Sequence, residues 1–183
     1  MSRKKAIVPL EYPPHNPARS ILLIGEISPT TTAHMFEKIT EYSQSSSDPI
    51  CVVLSTEGGS VYDAFAMYDL IRTSPVPIWT YGLGCVMSAG TLVLAAGHKR
   101  MLYPNCWLMD HEASFSEASQ KGSELRAAIE HNEDLTERMY VLYSKHTKQS
   151  ISKLKDDFVK KTVYFSAEEA LEYGFVDGIV GKK

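Results

Sequence analysis

The chain has 183 residues, of which 44% are hydrophobic and 22% are charged, and its formal net charge is −3. These values are typical of a globular protein with a sizeable core, and they argue against a broad nucleic-acid-binding surface, which needs excess positive charge. No apolar run reaches the roughly 18 residues of a membrane span. The basic start MSRKK is not followed by the apolar run of a signal peptide.

The cysteines give an expectation about compartment and metal content. Cys51, Cys85 and Cys106 are an odd number, and each lies in an apolar run. This pattern predicts buried thiols in a reducing compartment, and the spacing does not fit a zinc site. We therefore expect a cytoplasmic protein without a membrane anchor, a metal or a cofactor.

The elements, taken in chain order, alternate between strand and helix. Residues 1–19 contain four prolines and predict an extended N-terminal arm, and the length suits a single domain over residues 20–183. Strands are predicted at 20–27, 50–55, 76–84, 101–103, 106–111, 162–165 and 175–180, and helices at 28–44, 61–74, 85–97, 123–145, 148–156 and 166–174. This order predicts an α/β fold with a mainly parallel sheet.

Two turns stand where chemistry is expected in such a sheet. Gly58 and Gly59 follow the buried strand ICVVLS, and Ser88 follows the strand WTYGLG in the stretch VMSAG. Because right-handed crossovers bring the carboxyl ends of parallel strands to one edge, both turns are expected to meet there. The glycine pair fits neither a dinucleotide fingerprint nor a phosphate loop.

Ser88 and His111 each allow two interpretations on their own. A serine among small residues is commonly a packing residue, and a nucleophilic serine needs a base. His111 ends the strand CWLMDH, where its side chain can point off the sheet edge, or it can simply be a polar strand end.

Five stretches in order then resemble one family. STEGGS, VMSAGTLVLAAG, PNCWLMDH, HTKQS and SAEEALEYGFVD follow the layout of the Clp protease proteolytic subunit, the ClpP family, over residues 20–180. The resemblance implies the ClpP/crotonase-like spiral of ββα units, with a protruding helical handle at about 112–145. It also implies a serine endopeptidase that cleaves unfolded proteins or peptides inside an oligomeric chamber.

The resemblance also assigns roles to residues. Ser88 matches the family's nucleophile and His111 its general base, while Gly59 and Ala89 match the positions whose backbone N–H groups form the oxyanion hole. The family's third member, an aspartate, has no counterpart. Counting back from Ser166 puts its position at Thr162, and counting forward from HTKQS puts it at Lys161.

Three arrangements are therefore open at the third position. Thr162 could orient His111, Asp156 or Asp157 could be recruited from the preceding segment, or the chain could be a weak or inactive ring subunit. We favour an active enzyme, because Ser88, His111 and the Gly-Gly turn are all present.

The resemblance implies that the partners are further copies of the chain, in two stacked heptameric rings, with an unfolded protein or peptide as substrate. An AAA+ unfoldase is a further implied partner, which the absence of the family's N-terminal helix leaves open. Two other enzyme classes are weighed: a crotonase-type enzyme, with Glu57 as its acid, and a Ser–Lys peptidase, with Lys99 or Lys161 as its base.

Overall fold

The computed structural model describes residues 17–112 and 121–181, in which a short 3₁₀ turn at Pro17–Arg19 precedes an alternation of strands and helices. The strands are β1 (Ser20–Ile24), β2 (Ile50–Thr56), β3 (Ile78–Met87), β4 (Lys99–Leu102), β5 (Trp107–His111), β6 (Thr162–Phe165) and β7 (Gly178–Ile179). The helices are α1 (Pro29–Ser45), α2 (Val61–Arg72), α3 (Ala89–Ala95), α4 (Gly122–Thr147), α5 (Ile151–Phe158) and α6 (Ala167–Tyr173). The predicted arm up to residue 16 and residues 113–120 of the predicted handle lie outside the described residues.

The sheet is mainly parallel, which confirms the predicted fold class. Its strands run in the order β1-β2-β3-β4-β7, all parallel to their neighbours. Strand β5 pairs in parallel with the last part of β3, and β6 pairs antiparallel with β5. The long strand β3 therefore carries two different partners along its length.

The predicted helix at 85–97 is wrong at its start, because β3 continues to Met87. Residues 79–82 pair with β4, whereas residues 85–87 pair with β5. Gly84, with φ +71°, allows the strand to bend where it changes partner. The last predicted strand, 175–180, is likewise reduced to Gly178–Ile179, which pair with Met101 and Leu102 at the end of β4.

Local signals in the sequence fix where the helices begin and end. Ser28, Ser60, Ser150 and Ser166 each cap a helix by accepting a backbone N–H with the side-chain oxygen. Gly174 ends α6 with φ +100°, a conformation that glycine adopts at low cost.

The core lies on one face of the sheet. Ile21 and Leu23 of β1 and Val52 and Leu54 of β2 are buried there against the helices. The opposite face carries a smaller cluster and leaves Leu22 62% exposed. In residues 17–112 and 121–181, no helix is both long and apolar enough to cross a membrane.

An aromatic cluster holds β6 behind β5. The ring centroids of Phe165 lie 5.1 Å from Tyr173 and 5.5 Å from Phe175, and Phe158 lies 6.2 Å from Phe165. These rings bury the contact between α5, β6 and α6 and contribute about 1 kcal/mol per pair beyond their buried area. The strand β6, which pairs with residues 108–111 of β5, is therefore anchored in the core through Phe165.

Candidate active site

The turns after β2 and β3 meet at the edge of the sheet, as the sequence predicts. A Cβ atom added to Gly58, whose φ is +107°, would lie 2.8 Å from the Ser88 Cβ and 2.9 Å from the Met87 carbonyl oxygen. Only a residue without a side chain permits this approach. The glycine turn thus forms one wall against which Ser88 is placed.

Ser88 stands alone in a strained backbone conformation between β3 and α3. Its φ of 51° and ψ of −126° are unusual for a residue with a side chain, and its N–H donates to the Met109 carbonyl oxygen at 2.8 Å. Its side chain does not cap α3. The hydroxyl is therefore left to face the neighbouring strand.

His111 supplies the partner of that hydroxyl. The hydrogen bond from the Ser88 N–H to the Met109 carbonyl oxygen joins the turn to β5. His111 lies two residues after Met109, on the same face of that strand. The His111 Nε2 lies 2.9 Å from the Ser88 Oγ. This distance is within the range for proton transfer from a serine to a histidine.

Two backbone N–H groups flank Ser88. Gly59, with φ +146°, is held by a bridge in which Ile27 N–H donates to the Gly58 carbonyl and Ser60 N–H donates to the Ile27 carbonyl, both at 2.9 Å. Ala89 is the first residue of α3, where N–H groups have no partner within the helix. Within the described residues, neither Gly59 N–H nor Ala89 N–H donates a hydrogen bond.

Thr162 lies directly opposite His111 in the antiparallel pair of β5 and β6. Side chains opposite each other in such a pair share a face and lie close together. In the described chain, no hydrogen bond joins the Thr162 side chain to the imidazole.

The alternative residues are engaged elsewhere. Asp157, on α5, accepts hydrogen bonds from Lys153 at 2.5 Å and from the Tyr173 hydroxyl at 2.7 Å. Partial burial acts to raise the pKa of Asp157, but these two hydrogen bonds and the charges of Lys153 and Lys161 together hold it below its ordinary value. Asp156 is exposed on the same helix, and its carbonyl oxygen accepts a hydrogen bond from Lys161.

Lys99, one of the two lysines proposed for a Ser–Lys dyad, is far from the serine. Lys99 pairs in register with Trp79 at the start of β3, and its ammonium group lies 4.9 Å from that ring. Ser88 follows the last residue of β3, so Lys99 and Ser88 lie at opposite ends of that strand. Glu57, proposed as a crotonase-type acid, is exposed in the glycine turn.

The family's sequence profile, described as Clp protease, matches residues 15–183. The chain belongs to the Clp protease family. It is 31% identical to the ATP-dependent Clp protease proteolytic subunit 1 of Salinibacter ruber over 142 residues, 76% of this chain and 60% of that subunit. It is 33% identical to the ATP-dependent Clp protease proteolytic subunit of Deinococcus radiodurans over 142 residues, 75% of this chain and 68% of that one. The chain thus covers less than two thirds of the Salinibacter subunit.

The fold is similar to that of a solved Clp protease. A point mutant of ClpP1 from Listeria monocytogenes superposes with a TM-score of 0.83 at 25% identity, covering 91% of this chain and 94% of the other. The resemblance inferred from the five motifs is therefore confirmed for both family and fold.

Sequence analysis missed one residue beside the site of this Clp protease family member. Asp110 is 2% exposed, and burial raises its pKa to about 7, against the opposing effect of the Tyr143 hydroxyl, the His111 backbone N–H and the Thr91 hydroxyl. The signal was available: a strand that alternates in burial puts Asp110 on the same side as the core residue Leu108. A carboxyl at a core position of a strand is unusual.

A groove of about 1080 Å³ borders His111 between α4, α5 and β6. Charged side chains of both signs line it, among them Glu112, Glu133, Glu137, Lys155 and Lys160. The part of the chain that the structure describes contains no cluster of three or more side chains suited to a metal ion.

Proposed function

We propose that the chain is a serine-type endopeptidase of the ClpP type, with Ser88 as nucleophile and His111 as general base. The observation that carries this proposal is the 2.9 Å contact between His111 Nε2 and Ser88 Oγ, made by a serine on a strained turn. A packing serine needs neither the strain nor a histidine partner.

In the proposed reaction, His111 Nε2 takes the proton of the Ser88 hydroxyl while Oγ attacks the carbonyl carbon of a peptide bond. The oxyanion accepts hydrogen bonds from the N–H groups of Gly59 and Ala89, because both lack another partner in the described residues. His111 then gives its proton to the leaving amine. Water hydrolyses the acyl-enzyme by the reverse proton transfers.

Thr162 is proposed to orient His111, because it lies opposite that residue in the β5–β6 pair. A hydroxyl or backbone carbonyl accepts the imidazole Nδ1–H but brings no negative charge. In other triads, replacing the acid lowers the rate by about 10⁴, so a slow enzyme is expected. The orienting residue is identified by comparing the rate of Ser88 acylation in Thr162→Val, Asp156→Ala and Asp157→Ala. Only the variant of the orienting residue should acylate more slowly than the parent. Parent-like rates in all three variants would exclude all three residues.

The substrate is proposed to be an unfolded protein or a peptide, bound in extended form along the groove beside His111. The chain is proposed to form homo-oligomeric rings, as two stacked heptamers, with an AAA+ unfoldase as a further partner. Exposed apolar side chains on the sheet, Leu22 and Ile24, and on α4, Leu125 and Ile129, support self-association. The three free thiols support a reducing compartment such as the cytoplasm.

Hydrolysis of a fluorogenic peptide tests the proposal. The parent chain is expected to cleave it, and Ser88→Ala and His111→Ala are expected to lose the activity while keeping the parent's oligomeric state. If the assembled parent cleaves none of a series of peptides of varied sequence, the chain would instead be a structural ring subunit.

A further inference from the structure

Asp110 brings a carboxyl group into direct contact with the backbone of the proposed base. Its Oδ1 accepts the His111 backbone N–H at 2.9 Å. Because neighbouring side chains of a strand point to opposite faces, the imidazole faces Ser88 while the carboxyl group faces the core. The two groups therefore lie on either side of the same strand.

Two hydroxyl groups link the same carboxyl group to the serine turn. The Thr91 hydroxyl donates to the Ser88 carbonyl oxygen at 2.6 Å, and it lies 2.6 Å from the Tyr143 hydroxyl. Both hydroxyls lie near the Asp110 carboxyl group and act to lower its pKa. Asp110 thus accepts the backbone N–H of the proposed base, and the Thr91 hydroxyl that is bonded to the backbone of the proposed nucleophile lies near its carboxyl group.

Packing does not explain a carboxyl group at this position. Its second oxygen, Oδ2, has no hydrogen-bond partner among the described residues, and neither has the nearby buried Tyr140 hydroxyl. An apolar side chain such as that of Leu108, which lies on the same face of β5, would avoid the cost of burying a polar group. Departures of this kind from core packing are typical of functional sites.

Building on the proposed function, we propose that Asp110 is a positioning residue that supplies, from behind His111, the negative charge that Thr162 does not provide. When Ser88 is acylated, its proton moves to His111 Nε2 and an imidazolium forms. A carboxylate on the neighbouring residue, buried from water, attracts that positive charge with little screening. Asp110 exchanges no proton with the substrate.

The titratable groups around Asp110 allow its effect to be isolated. Tyr140 and Tyr143 of α4 and Tyr173 of α6 interact with it, and burial raises the pKa of all three, to about 12 for Tyr140. These tyrosines stay neutral between pH 5 and 9. Glu112, next to His111, acts on Tyr140 rather than on Asp110.

The test compares the parent with Asp110→Asn over pH 5 to 9, using the rate at which a fluorophosphonate probe labels Ser88. In this reaction Oγ bonds to phosphorus, fluoride leaves, and His111 takes the serine proton. Asparagine keeps the size of the side chain and an acceptor for the His111 N–H but carries no charge.

The ratio of parent to variant rates is expected to be near one at pH 5, where Asp110 is protonated, and to rise to about tenfold at pH 9, where it is ionised. A ratio that does not change with pH would show a merely structural role and overturn the inference.

A second comparison asks whether Asp110 compensates for the absent acid. In a Thr162→Asp background, Asp110→Asn is expected to lower the labelling rate about threefold or less, since a carboxylate then contacts the imidazole directly. An equal loss in both backgrounds would contradict compensation.

If Asp110→Asn does not fold, Tyr143→Phe decides the question instead. It removes a hydroxyl that favours the ionised carboxylate, so labelling is expected to fall at pH 7 and to recover at pH 9. A loss that is the same at both values would overturn the inference. A parent that is never labelled at Ser88 would defeat the proposed function itself, whereas a labelled parent with a constant ratio defeats only the role of Asp110.

Discussion

Ser88 combines a strained backbone with a close neighbour that has no side chain. Two contacts maintain its positive φ of 51°: the Ser88 N–H donates a hydrogen bond to the Met109 carbonyl oxygen, and Gly58 packs closely against the Ser88 side chain. Such strain persists only where the surrounding structure enforces it. The position of the hydroxyl therefore depends on Gly58 as well as on Ser88.

Gly58→Ala is expected to abolish this arrangement. The added methyl group would lie 2.8 Å from the Ser88 Cβ and 2.9 Å from a backbone oxygen, which cannot move independently of the turn. We expect labelling of Ser88 by a fluorophosphonate to slow by about 10² or more, since misplacing reacting groups by about 1 Å has effects of that size.

Gly25→Ala is the matched control. Gly25 has a similar φ of +95°, but an added Cβ would meet nothing within 4 Å. Both variants should lose about 1–3 kcal/mol of stability from backbone strain, and Gly58→Ala should lose more because of its clash. Only Gly58→Ala should lose labelling. Parent-like labelling of Gly58→Ala would contradict the proposed role of the glycine turn.

Sequence patterns could reach some residues of the site but not others. Ser88, His111 and the glycine pair could be found because each carries a recognisable pattern and the order matches a family. Asp110 offers only one sign in the sequence, its place on the same strand face as Leu108, and its surroundings include Thr91 and Tyr143, which lie 19 and 33 positions away. Such contacts are visible only once α3 and α4 are packed against β5.

At the scale of elements, the sequence predicted the alternation well and the length of β3 poorly. Apolar runs and caps marked most strands and helices to within a few residues. The small residues after Gly84 resembled a helix because their strand character comes from pairing with β5, which is distant in sequence. Tertiary pairing overrides local propensity in such segments.

The cap of α6 gives a test at this scale. Ser166 accepts the Glu169 N–H at 3.3 Å, and Glu169 accepts the Ser166 N–H at 2.8 Å. Ser166→Ala is expected to lower the free energy of unfolding by about 1 kcal/mol, because it leaves a helix N–H without its partner.

Ser43→Ala serves as the comparison, measured in the same denaturant titration. Ser43 lies inside α1 and donates only to the Ile39 carbonyl of its own helix, at 2.6 Å. Its removal is expected to change stability by less than about 0.5 kcal/mol. Equal losses in the two variants would show that the cap contributes nothing specific.

At the scale of the whole molecule, apolar surface is left uncovered on one sheet face. Leu22 is 62% exposed and Ile24 is 56% exposed, beside the small cluster of Tyr81 and Met101. If this face contacts a second copy, the charge of Leu22→Glu should break the oligomer into smaller species with a lower sedimentation coefficient. Leu22→Met should leave the sedimentation coefficient unchanged. An unchanged oligomer in Leu22→Glu would exclude this face as an interface.

The stability of the fold should depend on pH through two groups of opposite sign. Burial raises the pKa of Asp110 from 3.8 to about 7, so the folded state holds a proton that the unfolded state releases, and stability falls as pH rises from 4 to 7. Burial, followed by Arg100 and Arg72, lowers the pKa of His146 from 6.5 to about 4. Between pH 4 and 6.5 the unfolded state binds a proton on His146 that the folded state does not. The contribution of His146 to the free energy of unfolding therefore rises with pH over this range.

Because the two effects oppose each other in the parent, single variants should reveal each of them in urea unfolding at pH 4 to 7. Asp110→Asn is expected to make stability rise more steeply with pH, and His146→Gln to make it fall, each by on the order of a few kcal/mol at most. Identical pH profiles for parent and Asp110→Asn would contradict a buried, titrating carboxyl group.

The most direct test of the whole account is to map the adduct formed by a fluorophosphonate on the purified, assembled chain by mass spectrometry of its peptides. We expect one adduct per chain, on Ser88. The His111→Ala variant is expected to fold and to carry no adduct. An adduct on a different residue, or none on an assembled parent, would contradict the assignment of Ser88 as a nucleophile activated by His111.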